Sequence, residues 1–264
     1  MEQPPLRSEM GWSTADRITV RGLDLCQDVL GKLALGDFAF LEITGRKPGA
    51  AESTVFNALL AVLVEHGMTP SAMVARLTYL GAPESMQAAI AAGLCGMGTT
   101  FAGTAEGAAR LLQGVQPLGT AGQYDAAQMA ARIVQEHREQ RLPIPGIGHP
   151  VHKPVDPRAV RLFAIAQEQG LAGPYVTLMQ AISQEAERAF GKPGRLPVNA
   201  TGAIGALASE LGLSWKLCRG LAVASRAIGL LGHLAEEIEN PIANTLWVRT
   251  EEEASAHLVP KEPQ

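Results

Sequence analysis

The sequence predicts an all-α fold, and three observations lead there. Apolar residues recur at helical spacing through most of the 264 residues, and only the stretch RITVRG, residues 17–22, alternates in polarity as a strand does. There is neither a βαβ rhythm nor an internal repeat. Aromatic residues make up 5% of the chain while Ala and Gly are abundant, 28 of the latter, so helices are expected to pack closely rather than to cover a sheet.

Taken in order, MEQPPLRSEMGW reads as a polar, proline-bearing arm with no signal-peptide character, and residues 1–16 are assigned to it. Ile18 and Val20 mark the single expected strand. Ala50–His66 has the spacing of a largely buried helix, with Glu52 near its start. Pro83–Gly98 is Ala-rich, with a proline in its first turn and glycines at its exit. Asp125–Gln140 is amphipathic, apolar at Met129, Ile133 and Val134 and charged opposite. Further helices are expected over Pro157–Gln169, Pro174–Phe190, Ala203–Leu211 and Trp215–Glu239.

Composition narrows the function classes. A net charge of −4 and a pI near 5.9 provide no basic face for nucleic acid. No stretch approaches the roughly 20 apolar residues a membrane helix needs. Cys26, Cys95 and Cys218 are odd in number, far apart and in apolar settings. They are read as buried thiols in a reducing, cytoplasmic environment rather than as a disulfide frame.

Four islands break the helical pattern: Glu65–Ala72, Gly98–Arg110, Pro143–Ala159 and Gly191–Gly205. A fifth segment, Ser225–Ile242, is helical but carries Arg226 and His233 on one side. The third island, PIPGIGHPVHKPVDPRA, is the least ordinary. Its prolines fix φ and remove amide donors, which excludes helix. Gly146 and Gly148 permit a sharp path and close approach by a ligand, and His149 sits at the resulting bend. Asp156 and Pro157 are placed to cap and start the next helix. His149-x-x-His152 lacks further ligands beyond Asp156, so no metal is expected. A G-x-S-x-G elbow is missing, and the glycine-rich islands lack the strand that a nucleotide site needs.

GIGHPVHKPVDPRA resembles the G-x-G-H-x-V-x-K…D-P-R segment of the citrate synthase superfamily. EHGMTPSAMVAR looks like its D-H-x-x-x-x-S segment, FAGTAEGAAR like F-G-G-x-x-(D/E)-A-A, VNATGAIG like N-V-D-G-x-I-G, and SRAIGLLGHLAEE like its (S/A)-R-x-x-G-x-x-(G/A)-H helix. The five islands stand in the family's order over roughly Ile18 to Trp247. The likeness is nearest to the short members, the citryl-CoA lyases and the lyase module of ATP-citrate lyase.

This resemblance implies a citrate synthase-like helical homodimer with a large domain (17–110 and 212–264), a small domain (111–211) and an active-site cleft between them. It implies an enzyme that makes or breaks the carbon–carbon bond alpha to a CoA thioester, such as citryl-CoA to acetyl-CoA and oxaloacetate. The partners are then a CoA thioester and a di- or tricarboxylate, with coenzyme A as substrate or product and no metal. By position, His66, Ser71, Phe101 and Arg226 fall among the substrate binders. His149 is the group that polarises the carbonyl or alkoxide oxygen. Gly146, Gly148, Lys153, Lys192 and Asn199 are candidates for CoA, with Arg158 as a further phosphate partner.

Three departures bear on the reaction. The family's catalytic aspartate falls on Thr201, which is no general base near neutral pH. The synthase histidine that stabilises the enolate falls on Phe101, as in the lyase module. Two family arginines fall on Pro150 and Asn240, which favours a substrate with fewer carboxylates or a looser hold on citrate. The alternative reading is a catalytically silent CoA-binding or regulatory homologue.

Overall fold

The computed structural model of the chain describes residues 5–118 and 125–258. Among these the strands are β1 (Gly11–Ser13), β2 (Ile18–Val20) and β3 (Leu23–Asp24). The helices are α1 (Leu35–Thr44), α2 (Ala50–Val64), α3 (Pro70–Gly81), α4 (Met86–Cys95), α5 (Gly103–Val115) and α6 (Ala126–Gln140). They continue with α7 (Pro157–Glu168), α8 (Pro174–Phe190), α9 (Ala200–Glu210), α10 (Trp215–Glu239) and α11 (Ala243–Ser255). The fold is helical, as predicted, and α7, α8 and α10 fall on the expected boundaries within one residue. No helix among the described residues is long and apolar enough to cross a membrane.

Two compact units are formed, Met1–Leu60 with Ala105–Cys218 and Ala61–Thr104 with Arg219–Gln264. In the first, β2 pairs antiparallel with both β1 and β3, Gly11 facing Val20 and Thr19 facing Asp24. The expected loose arm therefore contributes a strand, because the backbone groups of Ile18–Val20 need partners that the neighbouring chain supplies. Asp24 accepts the amides of Cys26 and Gln27, both at 3.0 Å, and starts a π-helical turn over Leu25–Val29. Phe40 of α1 meets Phe56 of α2 edge to face, centroids 5.2 Å apart. Further along, α8 packs on α6 and α9, and α7 on α9, around the fully buried Ile133, Leu178, Met179, Ile182, Ile204 and Leu207.

In the second unit α3 and α4 pack together, and Ala72, Ala75 and Ala89 close on Leu230 and Leu234 of α10. Small residues set the spacing. A Cβ on Gly93 would stand 2.7 Å from both Leu230 Cδ1 and the Ser71 carbonyl, so α4 lies against α3 and α10 only with glycine there.

Several expectations are corrected. The islands Glu65–Ala72 and Gly98–Arg110 are partly helical, since α3 starts at Pro70 and α5 at Gly103. In α3 the proline occupies the first turn, where no amide is needed. Only Cys218 is a buried thiol, with burial pushing it up to about 12, whereas Cys26 and Cys95 are exposed. Helix α9 starts three residues before the predicted Ala203, because Asn199 caps it.

Candidate active-site elements

In the first unit the proline-rich loop is pinned to the start of α9. Asn199 N donates to Gly146 O at 3.0 Å, Gly148 N donates to Pro197 O at 2.7 Å, and Ile147 and Val198 form an antiparallel bridge. The Asn199 side chain donates to Gly148 O at 2.8 Å, while its Oδ1 accepts from Gly202 N at 3.1 Å and Thr201 Oγ1 at 2.7 Å. One asparagine thus caps the helix and ties the loop to it. The approach requires glycine twice: Gly146 has φ +90°, and a Cβ on Gly202 would meet Gly146 O at 2.2 Å.

Asp156 is the second tie. It caps α7 and is 1% exposed. Its Oδ1 accepts Arg158 N and Nε, both at 3.0 Å, and its Oδ2 accepts Arg158 Nη2 at 2.8 Å and Ala200 N at 3.0 Å. Burial by itself raises such a carboxyl, but the Arg158 side chain and the Ala200 and Arg158 amides outweigh it, and the pKa is lowered from 3.8 to about 2. A carboxylate so saturated with donors is a poor proton acceptor. Asp156 positions other groups and does not stand in for a missing base.

His149 is held by its own loop. Its Nδ1 accepts the amides of Val151 at 3.1 Å and His152 at 2.9 Å, which assigns the ring proton to Nε2. The His152 ring stacks on it, centroids 4.4 Å apart. Arg158 Nη2 stands 3.4 Å from Nε2. Since an arginine and an Nε2–H are both donors, the two mark a place suited to an oxyanion.

Lys153 and Lys192 are exposed on neighbouring loops; a Cβ on Gly194 would sit 3.3 Å from Pro154 Cβ. Thr201 lies in the first turn of α9, its hydroxyl committed to Asn199.

In the second unit, α10 presents Arg226, Gly229, His233 and Glu237 on one face, the spacing of successive helical turns. A Cβ on Gly229 would stand 1.9 Å from the Val64 carbonyl oxygen, so the end of α2, with Glu65 and His66 after it, lies directly on α10. Arg226 is 7% exposed, and among the described residues its Nε and Nη1 have no hydrogen-bond partner. The nearest carboxylate, Glu65 Oε2, is 3.6 Å from Nη1, too far for a hydrogen bond. Burial raises the Glu65 pKa, but the amides of Gly67 and His66 together with His233 outweigh it, and the carboxyl lies below its ordinary value. Ser71 is buried with Oγ 3.0 Å from Thr69 Oγ1, His66 is exposed, and Phe101 is 54% exposed.

The predicted residues therefore fall into two groups. Gly146, Gly148, His149, Lys153, Lys192, Asn199 and Thr201 belong to the first unit, and His66, Ser71, Phe101 and Arg226 to the second. Two residues carry more than sequence reasoning gave them. Arg158, read only as a phosphate partner, stands beside His149; the D-P-R spacing nine residues after the histidine was the available signal. His233, read as a helix-face residue, is buried between Arg76 and Glu65. Among the described residues no cluster of three or more His, Cys, Asp or Glu side chains could hold a metal.

A family model described as "Citrate synthase, C-terminal domain" matches residues 21–248. Among solved structures, citryl-CoA lyase from Hydrogenobacter thermophilus is 30% identical with a TM-score of 0.79, covering 89% of this chain and 88% of that one. ATP citrate lyase from Methanothrix soehngenii, solved in complex with citrate and coenzyme A, is 22% identical with a TM-score of 0.72. That match covers 90% of this chain but 40% of the other, so this chain spans well under half its length. Citrate synthase from Thermotoga maritima is 18% identical with a TM-score of 0.61, covering 79% and 55% respectively. The latter two are likenesses of fold. A search of curated proteins finds no match.

Proposed function

From the premise that the chain belongs to the citrate synthase family and is an enzyme of it, we propose that it cleaves or forms citryl-CoA, or a related 3-hydroxy-3-carboxyacyl-CoA. In the cleavage direction the substrate hydroxyl gives its proton to water or to a substrate carboxylate as the bond between C2 and C3 breaks. The hydroxyl carbon becomes the ketone of oxaloacetate, and the electron pair passes to the thioester enolate. Protonation of the enolate carbon, the former C2, yields acetyl-CoA.

The observation that carries this reading is Arg226. A buried guanidinium with two donors unmet by the described residues calls for an anion, and a carboxylate matches its planar fork. His66 and Ser71 join it as substrate binders in this reading. His149 donates Nε2–H to the alkoxide and the ketone oxygen that succeeds it, with the Arg158 charge alongside. Preorganised donors of that kind are typically worth about 10²–10³ in rate. Phe101 takes the enolate-side position, as in the lyase branch. The loop that carries Gly146 and Gly148, with Lys153, Lys192 and Asn199, faces the CoA moiety in this reading, the Gly148 amide itself being bound to Pro197 O. With Thr201 in the place of the family aspartate and Asp156 held at about 2, proton transfer to the enolate carbon falls to water or to a substrate carboxyl.

The domain division at 110 and 211, a cytoplasmic setting and a homodimer belong to the same proposal. For the dimer the support is α10, where Ile228, Leu231 and Ile238 are 52%, 47% and 55% exposed on one stripe; an exposed apolar stripe suits a second copy. The deciding experiment incubates the protein with citryl-CoA and follows acetyl-CoA and oxaloacetate by mass spectrometry, beside Thr201→Asp and His149→Ala. Cleavage by the parent that is lost in His149→Ala is the expected result. Silence from both the parent and Thr201→Asp would remove citryl-CoA as the substrate.

A further inference from the structure

The second unit holds a buried chain of charges that the reading above does not use. Arg76 is 0% exposed. It donates Nη1 to Glu237 Oε2 at 2.7 Å and Nη2 to Glu236, and Glu237 Oε1 in turn accepts the amides of Ile242 at 2.9 Å and Ala243 at 2.8 Å, where α11 begins. Arg76 also stands against the His233 ring, with Nη2 3.1 Å and Nε 3.4 Å from Nδ1. An arginine can only donate, so His233 Nδ1 accepts and the ring proton resides on Nε2. That proton points at Glu65, with Nε2 3.2 Å from Oε1 and 3.1 Å from Oε2.

Glu65 is the solvent-exposed end of this chain. Its side chain is 47% exposed, and it is the carboxylate nearest the Arg226 guanidinium, yet Oε2 stops 3.6 Å short of Nη1. Oε1 also accepts the Gly67 amide, while Oε2 is in contact with His233; without that contact, the free oxygen of a half-exposed carboxylate beside a buried arginine closes to hydrogen-bond distance. We infer that His233 is a positioning residue that holds Glu65 back from Arg226, keeping the guanidinium available to an incoming substrate carboxylate. The inference rests on the reading of Arg226 as the carboxylate binder. Arg76 serves it by dictating the tautomer: without its donors, Nδ1 is no longer compelled to accept and Nε2 no longer compelled to donate.

The device predicts an unusual rescue. In His233→Leu, Glu65 swings onto Arg226 and competes with substrate, and citrate and oxaloacetate bind about tenfold to a hundredfold more weakly, the worth of a charge-assisted hydrogen bond. Coenzyme A binding is unchanged. Adding Glu65→Gln removes the competing charge and restores citrate affinity to within about threefold of the parent. A merely structural histidine would not be rescued by a change at Glu65. His233→Asn, which retains an acceptor for Arg76 but falls short of Glu65, repeats the test if the leucine variant does not fold. Titration calorimetry with citrate, oxaloacetate and coenzyme A reads each variant. Parental affinity in the His233 variants, or a loss that Glu65→Gln fails to relieve, overturns the positioning role alone. A parent chain that binds neither carboxylate overturns the reading of Arg226 and this inference with it.

Discussion

Asp156 offers the sharpest test of how the candidate site is held. Its carboxylate takes four N–H donors, three from Arg158 and one from Ala200. A carboxyl held at about 2 rather than 3.8 contributes about 2 kcal/mol to folding at neutral pH. The sign follows from the lowered value. This stability is fully present well above pH 3.8 and is lost as the pH falls through about 2, with about half gone by pH 3. Asp156→Asn replaces one acceptor oxygen with an NH₂ that faces donors, so at pH 7 the loss of charge is joined by an unsatisfied buried amide or guanidinium. Breaking a buried pair from one side costs about 3–5 kcal/mol. Urea unfolding of parent and variant at pH 7, 5, 4 and 3 measures both effects. The gap between them should be about 3–5 kcal/mol at pH 7 and narrow by about 1 kcal/mol at pH 3. A gap that stays constant across that range would refute the assignment of the acid-labile stability to this residue.

Three further outcomes are expected. Gly202→Ala places a methyl 2.2 Å from Gly146 O and forces the proline-rich loop away from α9, costing about 1–3 kcal/mol by urea unfolding; it also lowers turnover at saturating substrate, because His149 moves with the loop. Arg76→Leu leaves Glu237 buried without its cation and costs about 3–5 kcal/mol in the same assay. Ile228→Glu together with Leu231→Glu puts charge on the apolar stripe of α10, and sedimentation velocity should shift from dimer to monomer with helicity by circular dichroism unchanged.

The helical fold was legible because periodicity and caps are local. α8 and α10 could be bounded from their own residues, with proline at the first turn of one and a long apolar repeat in the other. Helices α1, α3, α5 and α11 were not legible in the sequence, and two of them carry loop-forming residues at their starts. α3 opens on Thr69–Pro70 and α5 on Gly103, and both become helix because their Ala-rich faces are buried against neighbours distant in sequence. Strand β1 escaped for the same reason, since its partner β2 and not its own composition orders it.

At the candidate site the division is similar. The resemblance to the family's motifs singled out Thr201, His66 and Arg226, and the proline-rich loop singled out His149, because the identity of a side chain is written in the sequence. Its protonation and its partners are not. Only the folded structure shows that two amides take the His149 Nδ1 lone pair, that Asp156 is too fully bonded to act as a base, and that Arg226 has donors unmet among the described residues while His233 occupies Glu65. These are consequences of atoms within hydrogen-bond distance at sequence separations of up to 168. Local sequence determined which groups this protein carries, and long-range packing decided which of them are already satisfied and which are left for a ligand.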